Sequence, residues 1–260
     1  KYLITRQSRK KYADIVFDNN KKKELFKNLK KVQPNIIINL ISCIDLKKCE
    51  TNIEYAIKAN INITENVSNF VGSNRNIYLI NISTDHLYSL NGRNDENSIF
   101  PLNFYAISKF LAEKYVQDVG GCNLRVNFIG RNRLSKSFLN WAYLSLIKNK
   151  KINGYYNVIF NPLNIEKLSQ VVTKVAKKKL RGNFNVGAEG KISKNKVLKI
   201  FEKKLAKKNL VKKTEYKHKK NLLERPKNMV MSNIKILKYL NIKNNSIHQN
   251  INGALKKFYA

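Results

Sequence analysis

The chain is poor in glycine and proline, with 10 and 4 residues of these types, and its 17 acidic residues face 51 basic ones. Its three cysteines, Cys43, Cys49 and Cys122, are odd in number and show no Cys-x-x-Cys spacing. This argues against a disulfide framework and against a metal site, and it favours a reducing, cytoplasmic setting. No apolar run approaches the roughly 18 residues that a membrane helix requires, so we expect no membrane association.

Positive charge dominates the sequence, with a formal net charge of +34 at pH 7. Such a charge suggests a polyanionic partner when the basic residues form a stripe, because lysines that neutralise phosphates release counterions. Here the lysines are spread through the whole chain, and only residues 203–220 are locally dense. No zinc-finger, basic-zipper or aromatic RNA-binding motif occurs. We therefore expect no nucleic-acid partner.

The pattern of apolar residues predicts an α/β protein with a doubly wound parallel sheet. Short runs rich in Ile and Val alternate with longer segments of helical periodicity, which is typical of strand–helix–strand units. The predicted strands are 36–41, 77–83, 123–128 and 183–186. The predicted helices are 21–32, 50–71, 103–117, 137–148, 165–178 and 193–205. Beyond residue 130 the alternation becomes less regular, which predicts a smaller C-terminal lobe.

Tyr105 and Lys109 form the leading candidate for a catalytic pair. The helix predicted around them has one apolar face, formed by Phe104, Ile107 and Leu111. Tyr105 and Lys109 lie one turn apart on a neighbouring stripe, so both can serve one site. The pKa of a phenol is near 10, and a nearby ammonium group is expected to lower it. Tyr105 can then donate a proton to a carbonyl oxygen while a hydride reaches the carbon.

The context of Tyr105 separates it from chance matches, because the same Tyr-x-x-x-Lys spacing begins at Tyr216 and at Tyr239. Just upstream of Tyr105, a predicted buried strand ends in Ser-Thr-Asp. The carboxyl ends of strands are where α/β folds place their ligands. Thr84 can hydrogen-bond the carbonyl oxygen that Tyr105 protonates. The alternative is that Thr84 and Asp85 only cap the turn after the strand.

Several segments follow one another in a familiar order. Around the candidate pair, residues 83–88 read STDHLY and residues 101–109 read PLNFYAISK. Upstream, residues 34–39 read PNIIIN, and downstream the segments LRVNFIG, GNFNVG and RPKN begin at residues 124, 182 and 225. Over nearly the whole chain these segments resemble those of the dTDP-4-dehydrorhamnose reductases, which belong to the extended short-chain dehydrogenases/reductases.

The resemblance implies a role for particular positions. Thr84, Tyr105 and Lys109 would be catalytic, and Asn60 would order a water in the proton relay. The implied cofactor-binding residues are Asp18, Asn19, Leu40, Ile41, Ser42, Tyr105 and Lys109. The implied substrate-binding residues are Asp85, His86 and Asn127. It also implies an NAD(P)-binding Rossmann-like domain over residues 1–130, and a mixed segment over 131–260 that adds late Rossmann elements and the substrate-binding lobe.

The glycine-rich loop that holds a dinucleotide pyrophosphate in such folds is missing, since neither G-x-G-x-x-G nor G-x-x-G-x-x-G occurs in the sequence. Judged from the later segments, residues 1–18 correspond to the second and third strands of the family. We therefore expect the first strand and its glycine loop to precede residue 1.

The loop after the strand at 36–41 also departs from the family pattern. Leu40 and Ile41 stand where small residues are usual, and Cys43, Ile44 and Lys47 replace a Tyr, a Thr and an acidic residue. We therefore expect these changes to affect the recognition of a rhamnose-type substrate more than the reductase chemistry.

The function implied by the resemblance is reduction of a 4-keto group on a nucleotide-activated deoxysugar by NADPH or NADH, in the synthesis of cell-surface polysaccharide precursors. A homodimer is left open. The nearest alternative is a nucleotide-sugar epimerase or dehydratase of the same superfamily, although a dehydratase usually has a Glu next to the Thr where this chain has Asp85. A non-catalytic regulatory member is a further alternative.

Overall fold

A computed structural model gives the structure of the protein and describes residues 3–8, 13–16, 18–131, 137–218, 223–243 and 245–259. The strands of the first half are β1 (Gln7–Ser8), β2 (Ile15–Val16), β3 (Ile36–Asn39), β4 (Tyr78–Thr84), β5 (Cys122–Val126) and β6 (Phe128–Ile129). Its helices are α1 (Lys22–Val32), α2 (Leu46–Thr51), α3 (Ile53–Ala56), α4 (Ile63–Gly72) and α5 (Phe104–Asp118), with a π-helical segment, Ile57–Asn62, before α4.

The second half has short strands and longer helices. Its strands are β7 (Ile152–Tyr155), β8 (Ile159–Phe160), β9 (Leu163–Asn164), β10 (Gly182–Val186), β11 (Ile192–Ser193), β12 (Val211–Thr214) and β13 (Asn228–Met229). Its helices are α6 (Phe138–Ile147), α7 (Ile165–Lys178), α8 (Lys194–Lys204), α9 (Ile234–Leu240) and α10 (Ile247–Tyr259).

Four parallel strands form the central sheet in the order β10, β5, β4, β3. Successive side chains of β4 point to opposite faces, as the twofold period of a strand requires. Ile80 packs in one core cluster with Leu124, and its neighbour Leu79 packs in another with Leu25 and Val116. Helices cover both faces of the sheet, which confirms the predicted doubly wound α/β class. The strand β10 comes from the second half of the chain, so that half completes the sheet.

A row of asparagines crosses the central sheet. Asn39, Asn81, Asn123 and Asn183 lie opposite one another in register. Their side chains hydrogen-bond in series, Nδ2 to Oδ1, over 3.1, 2.9 and 3.0 Å. Each carboxamide thus satisfies its neighbour inside a sheet where water is excluded. A slip of one residue in any strand would break the series, so the row also specifies the register.

The helical region before β4 differs from the single helix predicted over residues 50–71. Asp45 caps α2 by accepting a hydrogen bond from Lys48 N (3.1 Å), so helix begins earlier than expected. Asn52 interrupts it, because its side chain accepts from Tyr55 N (2.8 Å) and starts α3. The π-helical segment then carries Asn60 into a buried position, which fits the frequent occurrence of π-turns at functional sites.

Two predicted strands are shorter than expected, each because of an asparagine. β3 ends at Asn39 instead of residue 41, since Asn39 Oδ1 accepts from Ile41 N (3.1 Å) in the following turn. The strand predicted over residues 123–128 is split at Asn127 into β5 and β6. Near the N-terminus, β1 and β2 pair in parallel as a separate two-stranded sheet.

Of the apolar face predicted on α5, Phe104 packs against a core cluster, but the other two residues do not lie in the core. Ile107 and Leu111 are 37% and 47% exposed, and Phe110 beside them is 40% exposed. The buried face instead contains Tyr105 and Lys109. Within the described residues, no helix is long and apolar enough to cross a membrane.

Candidate active site

β4 ends at Thr84, which therefore lies at the carboxyl edge of the central sheet, and a short 3₁₀ turn follows it. Thr84 Oγ1 accepts a hydrogen bond from His86 N (3.2 Å), so it caps this turn. Oγ1 also donates to Asp85 Oδ1 (3.4 Å), and the Thr84 hydroxyl lies near enough to the Tyr105 phenol to act on its pKa. The two readings of Thr84, a turn cap and a site residue, are therefore both compatible with its position.

The start of α5 fixes Tyr105 against β4. Asn103 caps the helix, with Oδ1 accepting from Ala106 N (3.0 Å) and Nδ2 donating to Glu224 O (3.0 Å). One turn after Tyr105, Lys109 donates from Nζ to the carbonyl of Ile82 in β4 (2.8 Å). Both side chains are buried, at 9% and 2% exposure. The structure thus brings Thr84, Tyr105 and Lys109 together at one edge of the sheet.

Burial sets the protonation of this group. It raises the pKa of Tyr105 to about 12, against the opposing effect of the hydrogen bond from Thr84. It also lowers the pKa of Lys109 to about 8, against the charge of Glu113. The pKa of the phenol is thus raised, where a lowered value was expected, because the loss of hydration dominates in this site. A phenol with a raised pKa is protonated at neutral pH and is ready to act as a donor.

Asn60 lies behind Tyr105 and is fully buried. Its Oδ1 accepts from Cys43 N (2.6 Å), and its Nδ2 donates to Ser108 Oγ (2.8 Å). Ser108 Oγ in turn donates to the backbone carbonyl of Tyr105 (2.9 Å). Asn60 thus connects the loop after β3 to the helix that carries Tyr105. Its predicted role in ordering a water stays a prediction.

The predicted substrate-binding residues lie next to Thr84. Asp85 accepts a hydrogen bond from Asn127 Nδ2, and burial raises the pKa of this carboxyl to about 7. The ring of His86 stands edge-on to that of Tyr105, with centroids 5.6 Å apart. Burial lowers the pKa of His86 to about 3, so the imidazole is neutral. Its Nδ1 has no hydrogen-bond partner among the described residues.

Two cations from the second half act on this group. The charge of Lys194, the first residue of α8, acts on both Asp85 and His86, and that of Arg225 acts on His86. Lys194 Nζ also lies 5.7 Å from the ring centroid of Phe138. Sequence reasoning missed Lys194, since no local motif marks a lysine that reaches the site through the tertiary fold.

The predicted cofactor positions fall into two groups, one after β3 and one after β2. Leu40, Ile41 and Ser42 directly follow β3, which is parallel to β4, so they lie near the edge that holds Thr84. Leu40 is 70% exposed. Asn19 is buried and donates from Nδ2 to Gln7 Oε1 (3.0 Å), while its Oδ1 has no partner among the described residues. Asp18, beside it, accepts from Asn20 N (3.1 Å).

The two chance Tyr-x-x-x-Lys matches have other surroundings. Tyr216 packs edge-on against Tyr155, with ring centroids 5.5 Å apart. Tyr239 is 53% exposed and packs against Phe184 at 5.4 Å. Both tyrosines thus pack in the C-terminal half, and the lysine that follows Tyr216 at this spacing, residue 220, lies outside the described residues. Over the part of the chain that the structure describes, no cluster of three or more His, Cys, Asp or Glu could hold a metal ion.

Comparison with protein families gives one match, to the family described as the RmlD substrate binding domain, over residues 5–260. No curated protein matches the sequence.

Solved structures share the fold at low sequence identity. A dTDP-4-dehydrorhamnose reductase from Bacillus anthracis str. Ames, in complex with NADP, matches with a TM-score of 0.85 at 18% identity, over 93% of this chain and 87% of that chain. Another dTDP-4-dehydrorhamnose reductase, from Clostridium acetobutylicum ATCC 824, also matches with a TM-score of 0.85 at 18% identity, over 94% of this chain and 88% of that chain. A dTDP-glucose 4,6-dehydratase from Bacillus anthracis str. Ames, in complex with NAD, gives 0.78 at 16%, over 94% and 78%.

Proposed function

The chain belongs to the RmlD substrate binding domain family, and from this membership we propose that it is an NAD(P)H-dependent reductase of a nucleotide-activated 4-keto-deoxysugar. The observation that carries the proposal is the convergence of the Thr84 hydroxyl, the Tyr105 phenol and the Lys109 ammonium at the carboxyl edge of the sheet, where Thr84 acts on the pKa of Tyr105 and Lys109 Nζ donates to Ile82 O (2.8 Å). Two hydroxyls that meet there can both reach one carbonyl oxygen of a substrate. The reductases that share the fold support the same reaction class.

In the proposed reaction, Tyr105 supplies the proton. Thr84 and Tyr105 hydrogen-bond the 4-keto oxygen and draw electron density away from its carbon. When bound, the reduced nicotinamide supplies the hydride that this carbon receives. The Tyr105 proton passes to the oxygen, which becomes a hydroxyl, and the phenolate that remains is stabilised by the Lys109 ammonium on the same helix face.

The residues present fit the two ends of a dinucleotide. The Lys109 ammonium has three donors, of which Ile82 O accepts one among the described contacts, so the others can hold ribose hydroxyls. The unpartnered Oδ1 of Asn19 is a buried acceptor suited to an adenine amino group, with Asp18 beside it. Leu40, Ile41 and Ser42 would lie against the cofactor between these ends. NADPH and NADH both fit these contacts.

On the substrate side, we assign Asp85, His86 and Asn127 to the sugar. With a pKa of about 7, Asp85 is partly protonated at neutral pH, so it can donate as well as accept hydrogen bonds. His86 offers a neutral ring with a free Nδ1. Arg225 adds positive charge on the side from which an anionic nucleotide diphosphate would approach. Residues 1–130 would then hold the cofactor, and residues 131–260 would complete the sheet and close over the substrate.

The assembly and cellular setting are part of the same proposal. The exposed Ile107, Phe110 and Leu111 on α5 form an apolar stripe that a second copy of the chain could cover, which supports a homodimer. The free thiols support a reducing, cytoplasmic setting, where precursors of cell-surface polysaccharides are made. The spread of the lysines supports a protein without a nucleic-acid partner.

An epimerase or a dehydratase of the same superfamily is the second candidate, because a dehydratase is among the proteins that share the fold. Cofactor stoichiometry separates these reactions. A reductase oxidises one NAD(P)H for each 4-keto sugar that it consumes, whereas an epimerase or dehydratase returns its cofactor unchanged. The purified protein should therefore be incubated with a dTDP-4-dehydro-6-deoxyhexose and NADPH. Loss of absorbance at the nicotinamide band together with a 4-hydroxy product supports the reductase, and turnover without net oxidation would overturn it.

A further inference from the structure

Two cysteines lie side by side next to Tyr105. Cys43 stands in the loop after β3, and Cys49 lies on α2. Both are free and buried, and both belong to the small apolar cluster that contains Tyr105. Cys49 Sγ donates to the backbone carbonyl of Cys43 (3.8 Å), and Cys43 Sγ donates to that of Asp45 (3.7 Å). The thiol of Cys49 therefore contacts the residue that carries the other thiol.

Asn60 holds the two cysteines in this arrangement. Its Oδ1 accepts from Cys43 N (2.6 Å), and its Nδ2 lies 3.9 Å from Cys49 Sγ as a donor. One rigid, fully buried carboxamide thus positions the backbone of one cysteine and the thiol of the other. The contacts with Asn60 and with the Cys43 carbonyl keep the two cysteines close together, and proximity of the two residues is the first condition for closing a disulfide in a folded protein.

We propose that Cys43 and Cys49 are a modification site, at which a hydroperoxide closes a reversible disulfide beside Tyr105. The Cys43 thiolate attacks the peroxide, so an S–O bond forms, the O–O bond breaks and the leaving oxygen departs with a proton as water or alcohol. Cys49 then loses its proton and attacks Cys43 Sγ. The S–S bond forms, the S–O bond breaks, and hydroxide leaves as water. Two electrons pass from the thiols to the peroxide.

The surroundings assign the order of these steps. Cys43 is 8% exposed and Cys49 is fully buried, so a peroxide can reach Cys43 first. Burial, together with the hydrogen bond from Cys43, raises the pKa of Cys49 to about 12. A thiol of this kind is a poor first nucleophile, but its sulfur lies 3.8 Å from the carbonyl oxygen of the residue on which the sulfenic acid forms. Cys43 is therefore the attacking residue and Cys49 the resolving one.

Cys122 serves as an internal control. It is also fully buried, but it lies in β5 and hydrogen-bonds the phenol of Tyr78. No thiol is among its described contacts. Equal exposure to an oxidant should therefore leave Cys122 reduced while the other two cysteines pair.

The disulfide would act on the candidate active site through its direct contacts. Closing it removes the thiol that accepts from Asn60 and fixes the Cys43 loop, while Asn60 also supports α5 through Ser108. Because Tyr105 belongs to the same small apolar cluster as both cysteines, we expect the oxidised protein to turn over more slowly. This last consequence rests on the proposed function, but the disulfide itself does not.

Peptide mapping tests the disulfide directly, since Lys47 and Lys48 lie between the two cysteines. The purified protein is treated with hydrogen peroxide, alkylated under denaturing conditions and digested with trypsin. The expected product is peptide 32–47 joined to peptide 49–58, which dithiothreitol separates. Peptide 115–125, which carries Cys122, should be alkylated. Four results would overturn the proposal. These are irreversible oxidation of Cys43 alone, a disulfide between two protein molecules, a disulfide to Cys122, and complete alkylation of both Cys43 and Cys49 after the peroxide treatment.

Variants give an independent check. In Cys49→Ala, the Cys43 sulfenic acid should persist and react with a sulfenic-acid probe, whereas Cys122→Ala should form the disulfide as the wild type does. If Cys49→Ala fails to fold, the wild-type map still decides the matter. A protein that forms the disulfide but has no reductase activity in its reduced form or in its oxidised form would count against the proposed reductase. It would not count against the thiol pair.

Discussion

The Thr84 hydroxyl acts on the pKa of the Tyr105 phenol although the two residues are 21 positions apart in the chain. β4 ends at Thr84 and α5 begins just before Tyr105, so the edge of the sheet and the start of the helix meet at these two side chains. Both residues are buried, and Thr84 Oγ1 also accepts from His86 N (3.2 Å) and donates to Asp85 Oδ1 (3.4 Å). A substrate oxygen that binds between the Thr84 and Tyr105 hydroxyls would receive two donors at once, which is the basis of the proposed chemistry.

Thr84→Val should lower kcat by roughly 10²-fold, the scale for loss of one positioned donor to a carbonyl oxygen. Thr84→Ser keeps the hydroxyl and should retain most of the activity. Steady-state kinetics of both variants with the 4-keto sugar give the comparison, and thermal unfolding controls for loss of the turn cap. A wild-type kcat in Thr84→Val would remove Thr84 from the site.

Asp85 should make the stability of the protein depend on pH in an unusual direction. Burial raises its pKa from 3.8 to about 7 in the folded state, so protonation favours folding. The contribution of protonated Asp85 to the free energy of unfolding is fully present below the pKa of the unfolded state, and it is lost as the pH rises through about 7. Asp85→Asn cannot ionise, so its free energy of unfolding relative to wild type should increase between pH 4 and 7. Urea unfolding across this range measures the difference.

Asp95→Asn is the matched control for this pH dependence. Hydrogen bonds from Asn97 N and the Ser98 side chain lower the pKa of Asp95 from 3.8, so this carboxyl is ionised in both the folded and the unfolded protein over most of this range. Asp95→Asn should therefore show almost no change with pH relative to wild type, whereas Asp85→Asn should show a clear slope. An equally flat comparison for Asp85→Asn would mean that the pKa of Asp85 is not raised in the folded protein.

Asn81→Leu should destabilise the protein by about 1–3 kcal/mol, because it breaks the asparagine row at its centre and leaves Asn123 Oδ1 buried without its donor. Asn69→Ala, at an exposed position on α4, should change stability by less than about 0.5 kcal/mol. Urea unfolding of the two variants gives both values. Equal stability of Asn81→Leu and wild type would show that the row contributes nothing net.

Local patterns predicted much of the fold. The helix at Ile165–Lys178 matches the expected boundaries, and α5 agrees to within one residue, because Asn103 and Asn164 are clear caps in the sequence. The break at Asn52 was missed, since hydrophobic periodicity continues through it while the side chain cap ends one helix and starts another. The asparagine row was missed as well, because it depends on register between four strands.

The candidate site was predictable where its residues are close in sequence or carried by motifs, as for Thr84, Tyr105 and Lys109. The direction in which the pKa of Tyr105 shifts was not predictable, because burial by residues distant in sequence raises it. The effect of Lys194 on Asp85 was not predictable either, since Lys194 reaches Asp85 only through the fold of the second half. A local sequence pattern does not show the burial and the charges that residues from distant parts of the chain contribute.

The most direct test of the account is Tyr105→Phe, with Tyr239→Phe as the control at an exposed chance match. NADPH binding is measured by calorimetric titration, and turnover by nicotinamide absorbance with the 4-keto sugar. Loss of the proton donor should lower turnover by roughly 10²-fold or more while the affinity for NADPH changes little. Tyr239→Phe should match the wild type in both. Wild-type turnover in Tyr105→Phe would contradict the proposed proton donor and with it the assignment of the site.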